Sequence, residues 1–265
     1  MQKNNHIHIY ALLVFSIIFL CCNKDEDKNA NGDNNNGNGA VTIPNCGTVT
    51  DIDGNTYETV LIGNRCWLRE NLKTTTLKDG TPLDFINNSA DWDTISSNDG
   101  SPSYCWYNDD YNTYGKVFGA LYNYQAPGTG KLCPQGWRFP DDNDWLELFE
   151  GIAAMGYSEP YSVTPYKVAK AMAANAYWES STKPGAPGND LSTNNKSGFS
   201  ALPGGFRHQD GSFYHNGLST RWWSRIYATA NVANVSFISF NENSPVFLEM
   251  QRKNRGMSVR CVKDH

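Results

Sequence analysis

The sequence predicts an α+β domain. Three observations carry this: short β-prone runs open the globular part, two segments of helical periodicity follow, and short β-prone runs close it. Residues 48–52, 56–62 and 65–68 are the opening runs. Between them, Asp53-Gly54 and Gly63-Asn64 supply the positive φ angles of tight hairpin turns, so a β-meander is expected. The run from Asp51 to Asn55 could be mistaken for the front of a calcium loop. Ile62, however, stands where that loop needs a glutamate, which leaves the turn.

Pro140-Asp141 precedes Trp145, Leu148, Phe149 and Ile152, which share one helical face, and Asp144 three residues after Asp141 resembles a capping box with a shorter acid. A helix over residues 142–155, stopped by Gly156, is expected. Thr164-Pro165 offers an N-cap and a first-turn proline, and Val168, Ala169, Met172 and Ala173 continue at helical spacing toward Ala176, which predicts a second helix. Residues 180–196 are rich in Pro, Gly, Asn and Ser and read as a long surface loop. Residues 199–202, 211–214, 221–224, 235–240 and 257–262 read as short strands.

Ahead of the domain, residues 1–10 carry Lys3 and no acid, residues 9–20 form an apolar run, and Cys21 and Cys22 follow. This is the plan of a secretory signal. As a helix the run would rise about 18 Å against a hydrocarbon core of about 30 Å, too short for a permanent span. Ile18-Phe19-Leu20 offers ordinary signal peptidase no small residue, whereas a cysteine straight after the apolar run resembles a bacterial lipobox. The expected product is a lipoprotein that loses residues 1–21 and carries lipid on Cys22, with Cys21 as the alternative. Lys24-Asp25-Glu26-Asp27 looks like the acidic export tag of Bacteroidetes-type lipoproteins, which implies an outer-membrane, cell-surface location. Residues 22–40, largely Asn, Gly and Asp, bury too little surface to offset the entropy of ordering and form a flexible tether. Residues 41–265 are the folded domain. Lys plus Arg number 22 against 27 Asp plus Glu, a net of -5. No basic field exists to hold a phosphate backbone, which excludes nucleic acid as a partner and leaves the membrane, through the lipid anchor.

Several blocks then stand in order. They are Ile62-Gly63-Asn64-Arg65-Cys66-Trp67 with Glu70-Asn71-Leu72, the run Tyr114-Gly115-Lys116-Val117-Phe118-Gly119, and Cys133-Pro134-Gln135-Gly136-Trp137-Arg138-Phe139-Pro140. Gly198-Phe199-Ser200-Ala201-Leu202-Pro203 and Gly256-Met257-Ser258-Val259-Arg260-Cys261-Val262 complete the series. Together they resemble the Fibrobacter succinogenes major paralogous domain. Ser224-Arg225 departs from that pattern, where the family usually has two serines after tryptophan. The arrangement is also similar to C-type-lectin-like and formylglycine-generating-enzyme-like (sulfatase-modifying-factor-like) domains. The resemblance implies a lectin-like α+β fold with an N-terminal meander, two main helices and short twisted strands. It does not fix a function.

Beyond the lipobox the cysteines are Cys46, Cys66, Cys105, Cys133 and Cys261, in a chain expected to pass through an oxidising compartment. The lectin-like resemblance implies a bond between Cys133 and Cys261. Cys46 with Cys66 would clip the meander, leaving Cys105 as a small buried hydrophobe rather than a reactive thiol. No Cys/His zinc spacing, His-Glu-x-x-His, Gly-x-Ser-x-Gly, phosphate loop or dinucleotide fingerprint occurs. His208 and His215 could face one another across a hairpin, and Asp109, Asp110, Asp141, Glu147 and Asp210 show no glycosidase pairing. Only Cys261 stands where formylglycine-generating enzymes use a cysteine pair. A protein without catalytic activity is expected; an envelope enzyme on that scaffold and a structural subunit of a surface assembly are the alternatives.

The suggestive feature is aromatic. Tyr104, Trp106, Tyr107, Tyr111, Tyr114, Phe118, Tyr122 and Tyr124 crowd one stretch, interleaved with Asn108, Asp109, Asp110, Asn112 and Asn123. Flat rings beside amides and carboxylates are what a sugar stacks and hydrogen-bonds against. Residues 114–122 match a family block and read as packing, as do Trp222 and Trp223. That leaves Trp106, Tyr107, Asn108, Asp109 and Tyr111 as candidate ligand contacts, with Arg207, His208 and Tyr214 as the next exposed candidates. A lectin-type calcium site would use similar oxygens, so calcium stays open and no other cofactor is expected. Asp93-Thr94-Ile95 resembles a Bacteroidetes O-glycosylation acceptor, with Thr94 modified. The leading expectation is a lipid-anchored cell-surface binding or adhesion module for glycan or protein ligands.

Overall fold

The opening hairpins form as the turn chemistry dictates. In the computed structural model, which describes residues 43–94, 100–157 and 166–264, they give β1 (Thr48–Thr50), β2 (Thr56–Ile62) and β3 (Arg65–Leu68). Asp51 Oδ1 accepts from the backbone N–H groups of Asp53 and Asn55 at 3.0 and 2.9 Å, and Gly54 takes φ 85°. This Asx-type turn is what the pair Asp53-Gly54 predicts. Residues 1–42, with the signal, Cys21, Cys22 and the tether, lie outside the described residues.

A small sheet follows, from β4 (Asp84–Phe85), β5 (Ser103–Cys105) and β6 (Leu121–Tyr122), with α1 (Ser89–Thr94) and α2 (Lys116–Phe118) in its connections. After α3 (Gln125–Gly128) and β7 (Trp137–Arg138) comes α4 (Asp142–Ile152). Its capping box is complete: Asp144 N–H donates to Asp141 Oδ1 at 3.0 Å and Asp141 N–H to Asp144 Oδ2 at 2.8 Å. Trp145, Leu148, Phe149 and Ile152 are buried, as their spacing predicts. The helix closes through a wide turn, Ala153–Tyr157, in which Gly156 has φ 79°.

The second half corrects four expectations. The second helix, α5 (Ala169–Met172), is one turn long, because Ala173 turns extended to bridge Ala201 and Ala174 N–H donates to the Ala201 carbonyl at 2.8 Å. Its expected cap, Thr164-Pro165, lies outside the described residues. Residues 180–196 are not wholly a surface loop: Gly185, Ala186, Pro187 and Gly188 are buried, and a Cβ at Gly188 would meet the Glu179 carbonyl oxygen at 2.1 Å. Residues 199–202 are no strand, since Ser200 sits at φ 56°, its N–H held by Asn195 Oδ1 at 2.9 Å. The remaining strands are β8 (Gly204–Arg207), β9 (Phe213–Asn216), β10 (Ser219–Ala228), β11 (Val232–Ser239), β12 (Val246–Arg252) and β13 (Val262–Lys263). Ser224-Arg225 lies within β10, with Ser224 fully buried.

Fourth, residues 257–262 do not pair as one strand. Each meets a different neighbour: Gly256 bridges Arg207 of β8, Met257 bridges Tyr122 of β6, Ser258 bridges Trp222 of β10, and Val262 pairs with Trp67 of β3 and Arg138 of β7. This segment is thus the seam between the small sheet and two five-stranded sheets, β1-β2-β3-β13-β7 and β12-β11-β10-β8-β9. The fold is α+β, with mostly antiparallel pairing. Disulfides Cys133–Cys261 and Cys46–Cys66 close the seam and the meander, with Cα atoms 5.9 and 6.2 Å apart.

Two buried polar networks lock the sheets and helix together. The Arg260 guanidinium is fully buried, 4.2 Å from the Phe199 ring, donating to the Phe199 carbonyl and to Asn71 Oδ1 at 3.2 Å. Asn71 Oδ1 also accepts from Trp222 Nε1 at 2.9 Å, and Asn71 Nδ2 donates to the Phe118 carbonyl at 2.9 Å. At the start of α4, Asp144 accepts two hydrogen bonds from Arg138, at 2.5 and 2.8 Å, with Arg65 Nε at 3.3 Å. Burial pushes the Asp144 carboxyl up, but the Arg138 hydrogen bonds, the Asp141 N–H and both guanidinium charges together bring it below its ordinary value.

Asn71→Ala is expected to cost about 3 kcal/mol, because a buried cation and an indole lose one shared acceptor. Urea unfolding reads this as a lower midpoint, and an unchanged midpoint would remove Asn71 as a hub. Because the folded Asp144 pKa lies below the unfolded value of about 3.9, its contribution is full above that value and fades as pH falls through the folded pKa. Asp144→Asn should therefore be less stable than wild type at neutral pH, with the gap narrowing in urea melts taken below about pH 4.

Candidate functional site

The aromatic stretch divides into an interior and a rim. Phe85, Tyr104, Trp106 and Tyr111 form a chain of ring contacts with centroids 5.2, 5.3 and 4.8 Å apart. Its ends, Phe85 and Tyr111, are each 43% exposed, whereas Trp106 shows 8% of its surface. Gly115 makes this packing possible: a Cβ there would lie 2.7 Å from both the Trp106 and Tyr111 rings.

Trp106 and Tyr111 also line a shallow groove of about 380 Å³ with Asp53, Asn55, Lys73 and Thr75. The polar wall is braced from below. Asp53 Oδ2 accepts from the Thr75 N–H at 2.5 Å and from the Thr74 and Thr75 hydroxyls at 3.1 Å. Burial pushes the Asp53 carboxyl up, and these hydrogen bonds outweigh it and hold the pKa low. Asn55 Nδ2 donates to Asp51 Oδ2 at 2.9 Å, Tyr57 OH to the same oxygen at 2.6 Å, and Lys73 N–H to Tyr57 OH at 2.9 Å. Among the described residues the Lys73 ammonium has no ion pair or hydrogen bond, and Lys116 Nζ stands 5.6 Å from the Tyr111 ring centre. The groove thus offers ring surface, an ammonium, a carboxylate, an amide oxygen and a hydroxyl, the groups that meet a polyhydroxylated ring.

Other candidates sit elsewhere. Tyr107 is buried against Tyr114 and Phe213, both at 5.1 Å. Asn108 is exposed in a left-handed turn, φ 53°. Arg207 is not an exposed candidate. It is fully buried between the Trp92 and Phe213 rings, 4.6 Å from each, and its Nη1 reaches Asp109 Oδ1 at 3.1 Å and the Ile86 carbonyl at 2.8 Å. A cation this deep requires a sandwich of faces and carbonyls, which is what residues 85–92 supply. Asp109 is consequently a structural partner; burial raises its carboxyl pKa although Arg207 opposes the shift. His208 and Tyr214 form a separate pair, edge to face at 5.9 Å, with Tyr214 43% exposed and His208 Nδ1 3.1 Å from Asp210 Oδ2. His208 does not face His215, whose Nδ1 lies 3.4 Å from Ser219 Oγ.

The remaining carboxylates are engaged: Asp110 accepts from Thr113 N–H at 3.0 Å, Asp141 caps α4, and Glu147 pairs with Arg65 at 2.7 Å. Among the described residues no group of three or more His, Cys, Asp or Glu side chains could hold a metal ion. No described helix is long and apolar enough to cross a membrane. Thr94 is exposed at the end of α1, where its hydroxyl donates to the Asp91 carbonyl at 2.8 Å; Ile95 lies outside the described residues. The aromatic run signalled Trp106 and Tyr111. Asp53, Asn55, Lys73 and Thr75 carried no signal, because only the pairing of distant segments brings them there.

What these observations define is a disulfide-braced α+β domain whose candidate site is an open aromatic groove. Residues 60–263 match the family model of the Fibrobacter succinogenes major domain, from the middle of β2 to the end of β13, and the chain belongs to that family. No curated protein and no solved structure matches it.

Cys105 is fully buried, and burial pushes its thiol up to about 12 against the pull of Arg207. Iodoacetamide at pH 8 should leave it unmodified in the folded protein and alkylate it once urea unfolds the chain, as intact mass will report.

Proposed function

We propose that this protein is a lipid-anchored cell-surface binding module, without catalytic activity, that takes a saccharide in the Trp106–Tyr111 groove. One observation carries the ligand reading: two aromatic residues and four polar side chains from separate segments line a single open depression. Sugar recognition combines ring stacking with hydrogen bonds from fixed polar groups, and both are present there. The engagement of Asp109, Asp110, Asp141, Glu147 and Asp210 in caps and ion pairs supports a binding role over hydrolysis. The signal, the cysteine after it and the Asn/Gly-rich tether support display at the outer membrane surface. The Cys133–Cys261 bond, at the place a lectin-like domain would carry it, supports that scaffold.

A glycan array probed with the purified protein tests this reading. Binding to a defined set of saccharides is expected, weakened about tenfold, or about 1.4 kcal/mol, by Tyr111→Ala, whose exposed ring can be removed without opening the core. Loss of the signal in EDTA would add a calcium site to the groove. A silent array would overturn the saccharide reading.

A further inference from the structure

A second depression, of about 430 Å³, is lined by Tyr157, Lys167, Lys170, Ala171, Thr193 and Lys196. Three lysines line it and, among the described residues, no carboxylate does, in a chain whose net charge is -5. Their roles differ. Lys170 Nζ donates to the carbonyls of Asn189 and Asp190 and to Asn194 Oδ1, the last two at 2.9 Å. Its protons are spent, so it contributes a fixed charge and ties down residues 189–194 as the rim. Asn194 is itself pinned, its Nδ2 donating to the Ala174 and Pro187 carbonyls at 2.9 Å. Lys167, half-buried, and Lys196, exposed, make no ion pair or hydrogen bond among the described residues. The Asp190 carboxylate lies within electrostatic reach of Lys170 and offsets part of its charge, while like charges gathered in a concavity raise the local positive potential and draw anions into it.

We infer that this depression is an anion-binding site for a saccharide bearing sulfate or carboxylate groups, distinct from the aromatic groove. Its volume lies within the range of small-ligand pockets. Lysines act as rotatable point charges, without the planar two-pronged geometry of arginine, and so suit anionic groups that project from a ring in varied directions. Lys167 and Lys196 supply the free donors, Lys170 the fixed field, and the Tyr157 side chain forms part of the wall.

Titration calorimetry of the full-length protein with a heparin-derived tetrasaccharide and an oligogalacturonate is the test, with inorganic sulfate and phosphatidylglycerol vesicles as separate arms. At least one anionic oligosaccharide is expected to bind, and to bind more weakly as salt rises from about 0.05 to about 0.3 M. The double variant Lys167→Gln/Lys196→Gln should weaken it at least tenfold with an unchanged near-ultraviolet circular dichroism spectrum. Lys167→Arg/Lys196→Arg should retain it, and Tyr111→Ala should leave it intact. Tetrasaccharide binding undiminished in the glutamine variant, binding of neither oligosaccharide, inorganic sulfate held as tightly as the oligosaccharides (an adventitious ion only), or binding to vesicles alone would each overturn the inference. Loss through Tyr111→Ala instead would return the ligand to the aromatic groove and equally remove this site.

Discussion

The buried guanidinium of Arg260 sets the terms for the rest of the structure. A cation out of water is costly, and burial pulls its pKa down to about 9. What offsets the cost arrives from far apart in the chain: the Asn71 amide, the Phe199 carbonyl and ring, and the Trp222 ring at 5.6 Å. In this register of the last segment the charge meets both acceptors, with the Glu70 carboxylate adding a favourable electrostatic contribution. The conspicuous sequence blocks are therefore pieces of one internal joint. Asn71 follows the meander, Phe118 lies within the aromatic run, Phe199 follows the long loop, and Arg260 precedes the disulfide at Cys261.

This bears on where the proposed ligand contacts can lie. Residues consumed by the joint cannot also contact a ligand, and the most recognisable aromatics, Trp67, Trp145, Trp222 and Trp223, are fully buried. At the rim, Lys73, Thr75, Trp106 and Tyr111 fall outside those blocks and line one groove with Asp53 and Asn55 of the meander turn. The same division holds for the lysine-lined depression, whose walls come from the short helix α5 and the Asn-rich segment before Phe199.

Local chemistry made much of the fold legible. Turn dipeptides fixed the ends of β2 and β3, and the Asp141/Asp144 pair marked the start of α4 to the residue. Long-range contacts decided the rest. The segment 257–262 has strand-like composition, yet three sheets compete for its hydrogen bonds and none pairs it throughout. Residues 185–188 look like loop and are buried because Gly188 passes against the Glu179 and Phe240 carbonyls. Arg207 beside His208 reads as surface, but Trp92 and Phe213, distant in sequence, enclose it. The groove was half legible for the same reason: its rings stand in one run, its polar wall in two others.

The position of the seam has a consequence for biogenesis. Residues 256–263 come after every element they join, so a ribosome must finish nearly the whole domain before its three sheets have anything to hold them in place. The closing bond from Cys261 to Cys133 reaches back across 128 residues. The joint between the three sheets is thus completed by the last segment of the domain.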